Sequence, residues 1–355
     1  MKKNIILLSA ILFASCHTAR LGEQQSLGLN ITNTTTADVE TAPTHQGRED
    51  DSADDPAIWV NTKNSEASVV FGTDKMAGIA SYDLSGKELS YDLVGRINNI
   101  DIRQNIEMNG EKIDVIAGTN RSNNNLVIGT IDSQGSVNYQ SISGTELLKD
   151  KEVYGFCLGY VKNQLQAFVN DKSGNIFIYD LNFDQTAWTA QLSKQLKVKT
   201  QPEGMVVDDE LHYLYVGEEE NTVWKINLGD YSFHRLQNAS EASNKNLKYD
   251  IEGISIYKTN ERDGYVILSS QGNNSYAIYK REGNNEYIKS FRIVDGEIDG
   301  VEETDGLDFT HANLGSQFPK GIMVVQDGFN YDDKKKKSQN FKIIDWRKVE
   351  ALILK

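Results

Sequence analysis

The stretch VVFGTDKMAGIASYDLSG, residues 69–86, decides the fold, because two short strands rich in Val, Ile and Tyr flank a polar turn. The same strand, turn and strand recur along the chain. The related stretches are VIAGTNRSNNNLVIGTIDSQG (115–135), AFVNDKSGNIFIYDLN (167–182), LYVGEEENTVWKINLGD (214–230), VILSSQGNNSYAIYKREG (266–283) and IMVVQDGFNYDD (322–333). From about residue 50 onward helical periodicity is almost absent, so the pattern indicates an all-β fold.

The spacing of these turns predicts the architecture. Taken at residues 74, 120, 171, 219, 272 and 327, the turns lie 46 to 55 residues apart. A period of this length is typical of a four-stranded propeller blade, and six copies predict a six-bladed β-propeller. A β-sandwich, the other all-β architecture, would not explain so regular a period.

A second series of polar or acidic clusters opens an apolar strand 16 to 22 residues before each turn. That spacing accommodates one strand down and one strand back at about 3.3 Å per residue, so both series lie at the same end of the propeller. If the first strand of each blade lines the central channel, these openers form an inner ring and the turns an outer ring. The openers are residues 54–59, 98–103, 153–156, 202–205, 250–254 and 304–308.

Composition limits the partners of the chain. The 355 residues are 39% hydrophobic and 25% charged, as in ordinary globular proteins. Asp and Glu number 51 against 37 Lys and Arg, and the formal net charge of -14 repels nucleic acid and anionic membrane surfaces. An anionic substrate would therefore need metal cations to mediate its binding.

The N-terminus has the composition of a bacterial signal peptide. Lys2 and Lys3 precede a short apolar run at residues 5–13, and two small residues follow before Cys16. This order resembles a lipoprotein signal, and the run is too short to span a bilayer. We therefore expect export and a lipid anchor on Cys16, in the outer membrane or periplasm, with plain secretion as the alternative.

The predicted domain boundaries follow from these segments. Residues 1–15 are a signal peptide, and residues 16–45, rich in Thr, Asn, Ser and Gln, are the lipidated cysteine and a flexible tether. The propeller occupies residues 46–355. Cys157 lies in an apolar stretch and is expected to be a buried structural thiol without a disulfide partner.

So many carboxylates at one mouth would repel each other unless cations neutralise them. Ca²⁺ suits the site because it takes six to eight oxygen ligands in flexible geometry, and Asn98, Asn99 and Gln271 add amide oxygens. Zinc is disfavoured because the five histidines are scattered. The carboxylates are Asp54, Asp55, Asp101, Glu203, Asp250, Glu252, Asp299, Asp305 and Asp308 in the inner ring and its neighbours, and Glu218, Glu219 and Asp327 in the outer ring.

Lys75, Arg121 and Lys172 interrupt the outer ring at equivalent turn positions of three consecutive repeats. A single lysine in a turn is usually just solvated. Three cations beside an acidic mouth predict anchors for phosphate, and Arg121 is suited to a bidentate contact. Several calcium ions would supply the remaining positive charge and activate a water.

At these residues the chain resembles the β-propeller phytases, the alkaline calcium-dependent phytases of bacteria. The resemblance is collinear from about residue 40 to residue 346 and covers the whole predicted propeller. The motifs that carry it are DDPAIWV (54–60), NNIDIR (98–103), TNRS (119–122), EVYGF (152–156), EGMVVDDE (203–210), DIEGISIY (250–257), SSQGNNSYAIY (269–279), ETDGLD (303–308) and SQNFKI (338–343).

The resemblance implies a phosphomonoesterase of the 3-phytase type, which hydrolyses phytate (myo-inositol hexakisphosphate) to lower inositol phosphates and inorganic phosphate. The attacking group would be a calcium-bound water, without a phosphoenzyme. Met76 stands where relatives often have a second lysine, so we expect an affinity site for a neighbouring phosphate that is weaker or differently shaped.

The resemblance also implies roles for individual residues. Lys75, Arg121, Tyr154 and Lys172 contact phosphate, and Glu203 belongs to the catalytic set. The ligands of the catalytic calcium cluster are Asp54, Glu203, Glu219, Asp250, Glu252 and Asp299. Further calcium ligands, some of them structural, are Asp55, Asp101, Gln271, Asp305, Asp327 and Asn330.

Two other functions are open at this point. A calcium-bearing lactonase-like propeller would need the acidic mouth but not the three cations, and a non-catalytic binding propeller would not need several metal ions. A closed propeller needs no partner to satisfy its sheet edges, so we expect a monomer that binds a small molecule. The basic run at Lys334–Lys337 is either a solvated loop or a patch that steers substrate.

Overall fold

The computed structural model describes residues 26–45, 51–332 and 335–355. The predicted signal peptide, Cys16 and Lys334 lie outside the described residues. Among the described helices, none combines the length and the apolar character that crossing a membrane requires.

Six antiparallel sheets form the ring, and in each blade below the strands run from the innermost to the outermost. Blade 1 contains Ala53–Trp59, Val69–Asp74, Gly78–Tyr82 and Glu88–Asp92, and blade 2 contains Ile97–Met108, Glu111–Asn120, Asn125–Ile131 and Val137–Tyr139. Blade 3 contains Val153–Val161, Gln164–Asp171, Asn175–Phe183 and Trp188–Lys197, and blade 4 contains Pro202–Asp208, Tyr213–Glu218, Thr222–Asn227 and Phe233–Arg235. Blade 5 contains Ile254–Lys258, Gly264–Ser270, Ser275–Lys280 and Tyr287–Ile293, and blade 6 contains Leu307–Thr310, Ile322–Asp327, Asn340–Asp345 and Val39–Glu40.

The innermost strands of neighbouring blades contact each other all the way around, from blade 1 to blade 6 and back to blade 1. The predicted six-bladed β-propeller is therefore confirmed. Two short strands lie beside the outer edges of blades 3 and 5, and a small hairpin follows the second strand of blade 6. These strands are Ile142–Ser143, Thr34–Thr35, and the pair Tyr331–Asp332 and Lys335–Lys336.

The helical elements are short and lie in connections within blades 1 and 5, between blades 2 and 3, and after the last strand of the chain. The 3-10 helices are Ser65–Ala67, Glu146–Asp150 and Gln271–Asn273. The only α-helix whose bounds fall within the described residues, Trp346–Ile353, begins after Asp345, whose carboxylate accepts a hydrogen bond from the Arg347 amide. This is an ordinary N-cap. The helix buries Trp346 and Val349 in the cluster of blades 5 and 6.

The N-terminal segment closes the ring. Val39–Glu40 pairs antiparallel with Asn340–Asp345 and so supplies the outermost strand of blade 6. Thr34–Thr35 pairs in parallel with the last strand of blade 5. Both segments fall within the predicted tether of residues 16–45, so the propeller begins earlier in the chain than residue 46. The composition of this stretch is polar, and strands of two residues give no periodicity to detect.

The core lies between the blades, because alternate residues of each strand face the neighbouring sheet. Phe156, Phe177 and Trp188 of blade 3 pack with Val115 and Ile128 of blade 2 in one buried cluster. Truncating Trp188, which is fully buried, to alanine would cost about 3–5 kcal/mol. The predicted buried thiol is confirmed, since Cys157 is buried and free of disulfides.

Candidate active site

The openers and the turns meet at one end of the ring, as the spacing predicted. The first residue of the innermost strand pairs with the last residue of the second strand in four blades, and in three of them a turn cation follows. These pairs are Ala53 with Asp74, Ile97 with Asn120, Val153 with Asp171, and Pro202 with Glu218.

A glycine inside the opener, directly after its polar residue, lets the innermost strands approach each other at this end. A Cβ atom on Gly155 would lie 2.0 Å from the carbonyl oxygen of Glu203, and one on Gly204 would lie 2.6 Å from that of Glu252. Only glycine fits such contacts between backbones. The close approach brings the side chains of Tyr154, Glu203 and Glu252 to the same mouth.

Three carboxylates converge at this mouth. Glu203, Glu219 and Glu252 each offer an oxygen within 4.8 Å of the others. Burial, followed by the neighbouring Glu203 carboxylate, raises the pKa of Glu252 well above its usual range and the pKa of Glu219 to about 8. The charge of Asp250 also raises the pKa of Glu219. Without a cation, the protein cannot keep all these groups ionised at neutral pH.

Asp54 and Asp305 extend the cluster toward blade 1. The Lys75 ammonium lies 3.4 Å from Asp305 Oδ2 and 3.7 Å from Asp54 Oδ1, and it also pairs with Asp51. Gln271 donates to Asp305 over 2.6 Å. Burial raises the pKa of Asp305 to about 7, although Lys75 opposes this. The sequence pattern does not predict Asp51 as a site residue.

Asp54 shows that the site fits a hard cation. Its side chain is 3% exposed, and its Oδ2 atom is buried without a hydrogen-bond partner among the described residues. A buried carboxylate oxygen is costly unless something satisfies it. Together with the three glutamates it forms an all-oxygen donor set, which is the set that Ca²⁺ takes.

The predicted phosphate contacts lie beside these carboxylates. Two cations contact the Tyr154 ring, with Arg121 Cζ 5.7 Å and Lys172 Nζ 4.7 Å from its centroid. Such cation–π contacts stabilise the positions of both side chains. Lys172 also lies 3.4 Å from the exposed carboxylate of Glu152. Lys75, by contrast, is engaged by carboxylates and only 9% exposed.

Three predicted acids lie on the channel wall instead of at the mouth. Asp55, Asp101 and Asp308 line a cavity of about 610 Å³ in the central channel. Each accepts a hydrogen bond from a backbone amide of the next blade: Asp55 from Ile100 over 3.1 Å, Asp101 from Leu158 over 2.9 Å and Asp308 from Ile58 over 2.9 Å. These carboxylates therefore join neighbouring blades, and the expected place of Asp55 and Asp101 in the mouth ring is corrected.

The Arg103 guanidinium pairs with two acids of this wall. Arg103 Nη1 donates to both oxygens of Asp101, over 2.8 and 2.9 Å, and its Nε donates to Asp209 over 2.9 Å. Its remaining donors reach the carbonyl oxygens of Leu158 and Val207. Asp101 is thus neutralised by the chain itself. The sequence motif shows Asp101 and Arg103 two residues apart, but strand alternation alone does not reveal their pairing.

Asp299, Asp327 and Asn330 lie around the turn that follows the second strand of blade 6. The fully buried ammonium of Lys342 pairs with Asp299, lies 3.4 Å from Asp327 and lies 2.7 Å from Glu40. Asn330 donates to the carbonyl of Ser338 over 2.8 Å. That Asp299 belongs to the same cluster as Glu203 stays a prediction, and its carboxylate pairs here with the Lys342 ammonium.

The remaining predicted residues have local partners. Glu218 accepts hydrogen bonds from the Thr200 amide over 2.6 Å and from the Trp224 indole over 2.9 Å, so it holds its own turn. In the basic run, Lys337 lies 3.3 Å from Asp332, and the Lys336 ammonium lies over the Phe329 ring. Met76 is about half exposed at the rim, beside Lys75.

The fold and the site together define a class of protein: a closed six-bladed propeller with a cation-accepting carboxylate cluster and basic side chains at one mouth. Comparison with known proteins places it more closely. The family model named Phytase matches residues 3–354. The 3-phytase of Bacillus subtilis (strain 168) is 40% identical over 322 residues, which are 88% of this chain and 84% of that protein.

The chain therefore belongs to the phytase family, and it is an enzyme of that family. The resemblance that the sequence motifs indicated is confirmed. Among solved structures, the β-propeller domain of Myceliophteria thermophila Cps50 (Swd1) is 10% identical, with a TM-score of 0.46, over 82% of this chain and 83% of that one.

Proposed function

We propose that this phytase hydrolyses phytate to lower inositol phosphates and inorganic phosphate in a calcium-dependent reaction at the acidic mouth. One observation carries the proposal: the oxygens of Glu203, Glu219 and Glu252 converge within 4.8 Å, next to the cation pair on Tyr154. The name of the relative, 3-phytase, supports the substrate class.

The carboxylates have the role of holding the cations. Glu203, Glu219, Glu252 and Asp54 would be the ligands, and Asp305 and Gln271 lie beside them. Bound Ca²⁺ would supply the water that attacks phosphorus and would stabilise the charge on the leaving oxygen. Inositol phosphates are highly anionic, so a mouth of this charge can accept them only with such cations present.

The basic side chains have the role of orienting the phosphate groups. Arg121 and Lys172 both contact the Tyr154 ring, and as two separate cations they can each hold one phosphate of an inositol ring. Arg121 suits a bidentate contact, and Lys172 acts as a point charge. Lys75 would join them once Ca²⁺ replaces its charge among Asp51, Asp54 and Asp305.

Export, a lipid anchor on Cys16 and a monomeric state remain predictions from the sequence. The first two depend on residues outside the described part of the chain. The closed ring supports a monomer. Each of its six sheets is one blade, and the innermost strands of neighbouring blades contact each other around the channel, so the ring needs no second chain to close it.

The experiment measures phosphate release from phytate by the full chain, with Ca²⁺ and then with excess chelator. We expect release only with Ca²⁺, and restored release when Ca²⁺ is added back. Full turnover in excess chelator would refute the calcium requirement. No release in either condition would refute phytate as the substrate, and other phosphoesters would then be tested.

A further inference from the structure

Asn98 is a fully buried amide between the two halves of the proposed site. It lies on the innermost strand of blade 2, and its side chain reaches blade 4. The amide oxygen accepts from Arg121 Nη1 over 3.0 Å. The amide nitrogen donates to Glu203 Oε1 over 2.8 Å and to Asn99 Oδ1 over 2.8 Å.

The orientation of this amide is fixed by its partners. Arg121 can only donate, and the Glu203 carboxylate can only accept when ionised. A rotated amide would direct its oxygen at two acceptor oxygens and its nitrogen at a guanidinium. Rotation of the native amide would therefore lose both hydrogen bonds to charged groups at once.

We propose that Asn98 is a positioning residue that links the phosphate-binding arginine to the cation-binding glutamate. The inference rests on the proposed function, because it assigns Arg121 to phosphate and Glu203 to Ca²⁺. Asn98 holds Glu203 Oε1 toward Glu219 and Glu252 and holds the Arg121 guanidinium at the mouth. Each group then depends on the other, although they lie on blades 2 and 4.

Loss of Asn98 should therefore affect two properties at once. A buried hydrogen bond to a charged group has a strength that corresponds to about a tenfold change in binding. In Asn98→Ala we expect the Ca²⁺ concentration for half-saturation, measured by calorimetry without substrate, to rise about tenfold. We expect KM for phytate at saturating Ca²⁺ to rise by a similar factor.

Asn285 provides a matched control. It is 1% exposed, its amide oxygen accepts from the Lys225 ammonium over 2.7 Å, and its nitrogen donates to the carbonyl of Lys280 over 2.8 Å. It lies on the turn after Lys280, at the end of blade 5 opposite the mouth. Its backbone φ of 54° makes alanine strained there, so Asn285→Ala should cost at least as much stability. We expect its Ca²⁺ half-saturation and KM to stay within about twofold of the native values.

Two further variants separate positioning from a general loss of structure. Asn98→Asp keeps an acceptor for Arg121 but loses the donor to Glu203, so KM should stay within about threefold while the Ca²⁺ half-saturation shifts at least fivefold. Arg121→Lys keeps the positive charge but replaces the guanidinium, whose Nη1 donates to Asn98, with an ammonium on a shorter side chain. It should weaken Ca²⁺ binding in the native background and have no further effect on it in the Asn98→Ala background.

Additive effects of Arg121→Lys and Asn98→Ala on Ca²⁺ binding would overturn the proposal, and so would an Asn98→Ala variant that changes only one of the two constants. Failure of the proposed function has a different signature. The native chain would then release no phosphate from phytate, while calorimetry with Ca²⁺ alone would still report whether Asn98 positions Glu203.

Discussion

The carboxylates of the mouth and those of the channel wall are the same chemical groups with different partners. Asp54 and Asp55 are neighbours in the sequence, yet Asp54 has a buried oxygen without a hydrogen-bond partner, whereas Asp55 accepts from the Ile100 amide of the next blade. Acids whose oxygens are bonded within the chain hold blades together. Acids whose oxygens converge on one another, as those of Glu203, Glu219 and Glu252 do, require a cation from outside.

The pKa alone does not separate the two groups. Burial raises the pKa of Asp305 at the mouth to about 7, and burial with the charge of Asp101 raises the pKa of Asp308 on the wall to about 7. Asp308 nevertheless accepts hydrogen bonds from Ile58 and Ser255. Asp305 accepts from the side chains of Gln271 and Lys75, whereas Asp308 accepts from a backbone amide of the next blade. The kind of donor therefore distinguishes a structural acid from a cation ligand where the pKa values do not.

The largest expected effect is on the mouth. Glu203→Gln removes one charge from the converging set, and kcat for phosphate release should fall at least about a hundredfold. The calcium-free protein should keep its melting temperature or gain stability, because a repulsive charge has gone. Activity is measured with saturating Ca²⁺ and melting by calorimetry. A large loss of stability would show that Glu203 is a structural acid like Asp55.

The opposite result is expected on the wall. Arg103→Met leaves Asp101 and Asp209 buried without their cation, and the free energy of unfolding should fall by about 3–5 kcal/mol. The activity of the folded fraction should remain close to native. Urea unfolding gives the first quantity, and kcat below the transition gives the second. Lost activity at full stability would contradict the division between wall and mouth.

The pH dependence of stability should sharpen the comparison. In the calcium-free protein the pKa of Glu219 rises from 4.5 to about 8 and that of Asp305 from 3.8 to about 7. The folded state therefore binds more protons than the unfolded state, and stability should fall as pH rises from about 4.5 to 8. Ca²⁺ should suppress this fall by binding the ionised groups. Melting temperatures with and without Ca²⁺ should diverge toward pH 8, and parallel profiles would contradict the assignment.

The smallest effect should come from Lys172→Ala. Lys172 is half-buried, contacts the Tyr154 ring and pairs with the exposed Glu152, so the fold should lose about 0–1 kcal/mol. KM for phytate should rise about three- to tenfold, because one phosphate anchor is lost. The control is Lys280→Ala, whose ammonium pairs with exposed Glu286 and should leave KM unchanged. Equal KM values in both variants would remove Lys172 from the site.

Much of this division could not be read from the sequence. The period of the turns predicted six blades, and the openers placed Tyr154, Glu203 and Glu252 at one mouth. The pattern could not tell Asp54 from Asp55, because which of two adjacent acids faces the mouth depends on the register shift at that point in the strand. Of the cations that neutralise the other acids, Arg103 pairs with Asp101 on its own strand and with Asp209 of blade 4, and Lys342 reaches acids on other strands.

The pairing of Val39–Glu40 with Asn340–Asp345 also sets the order of events during synthesis. The two partners are 300 residues apart in the chain, which is roughly 15–60 s of translation at about 5–20 residues per second. Blades 1 to 5 emerge from the ribosome before the strand that completes the circle exists. In every nascent chain the ring is therefore open, because Val39–Glu40 is made long before its partner strand Asn340–Asp345. A truncated message would leave both ends of the open ring without their partner strands.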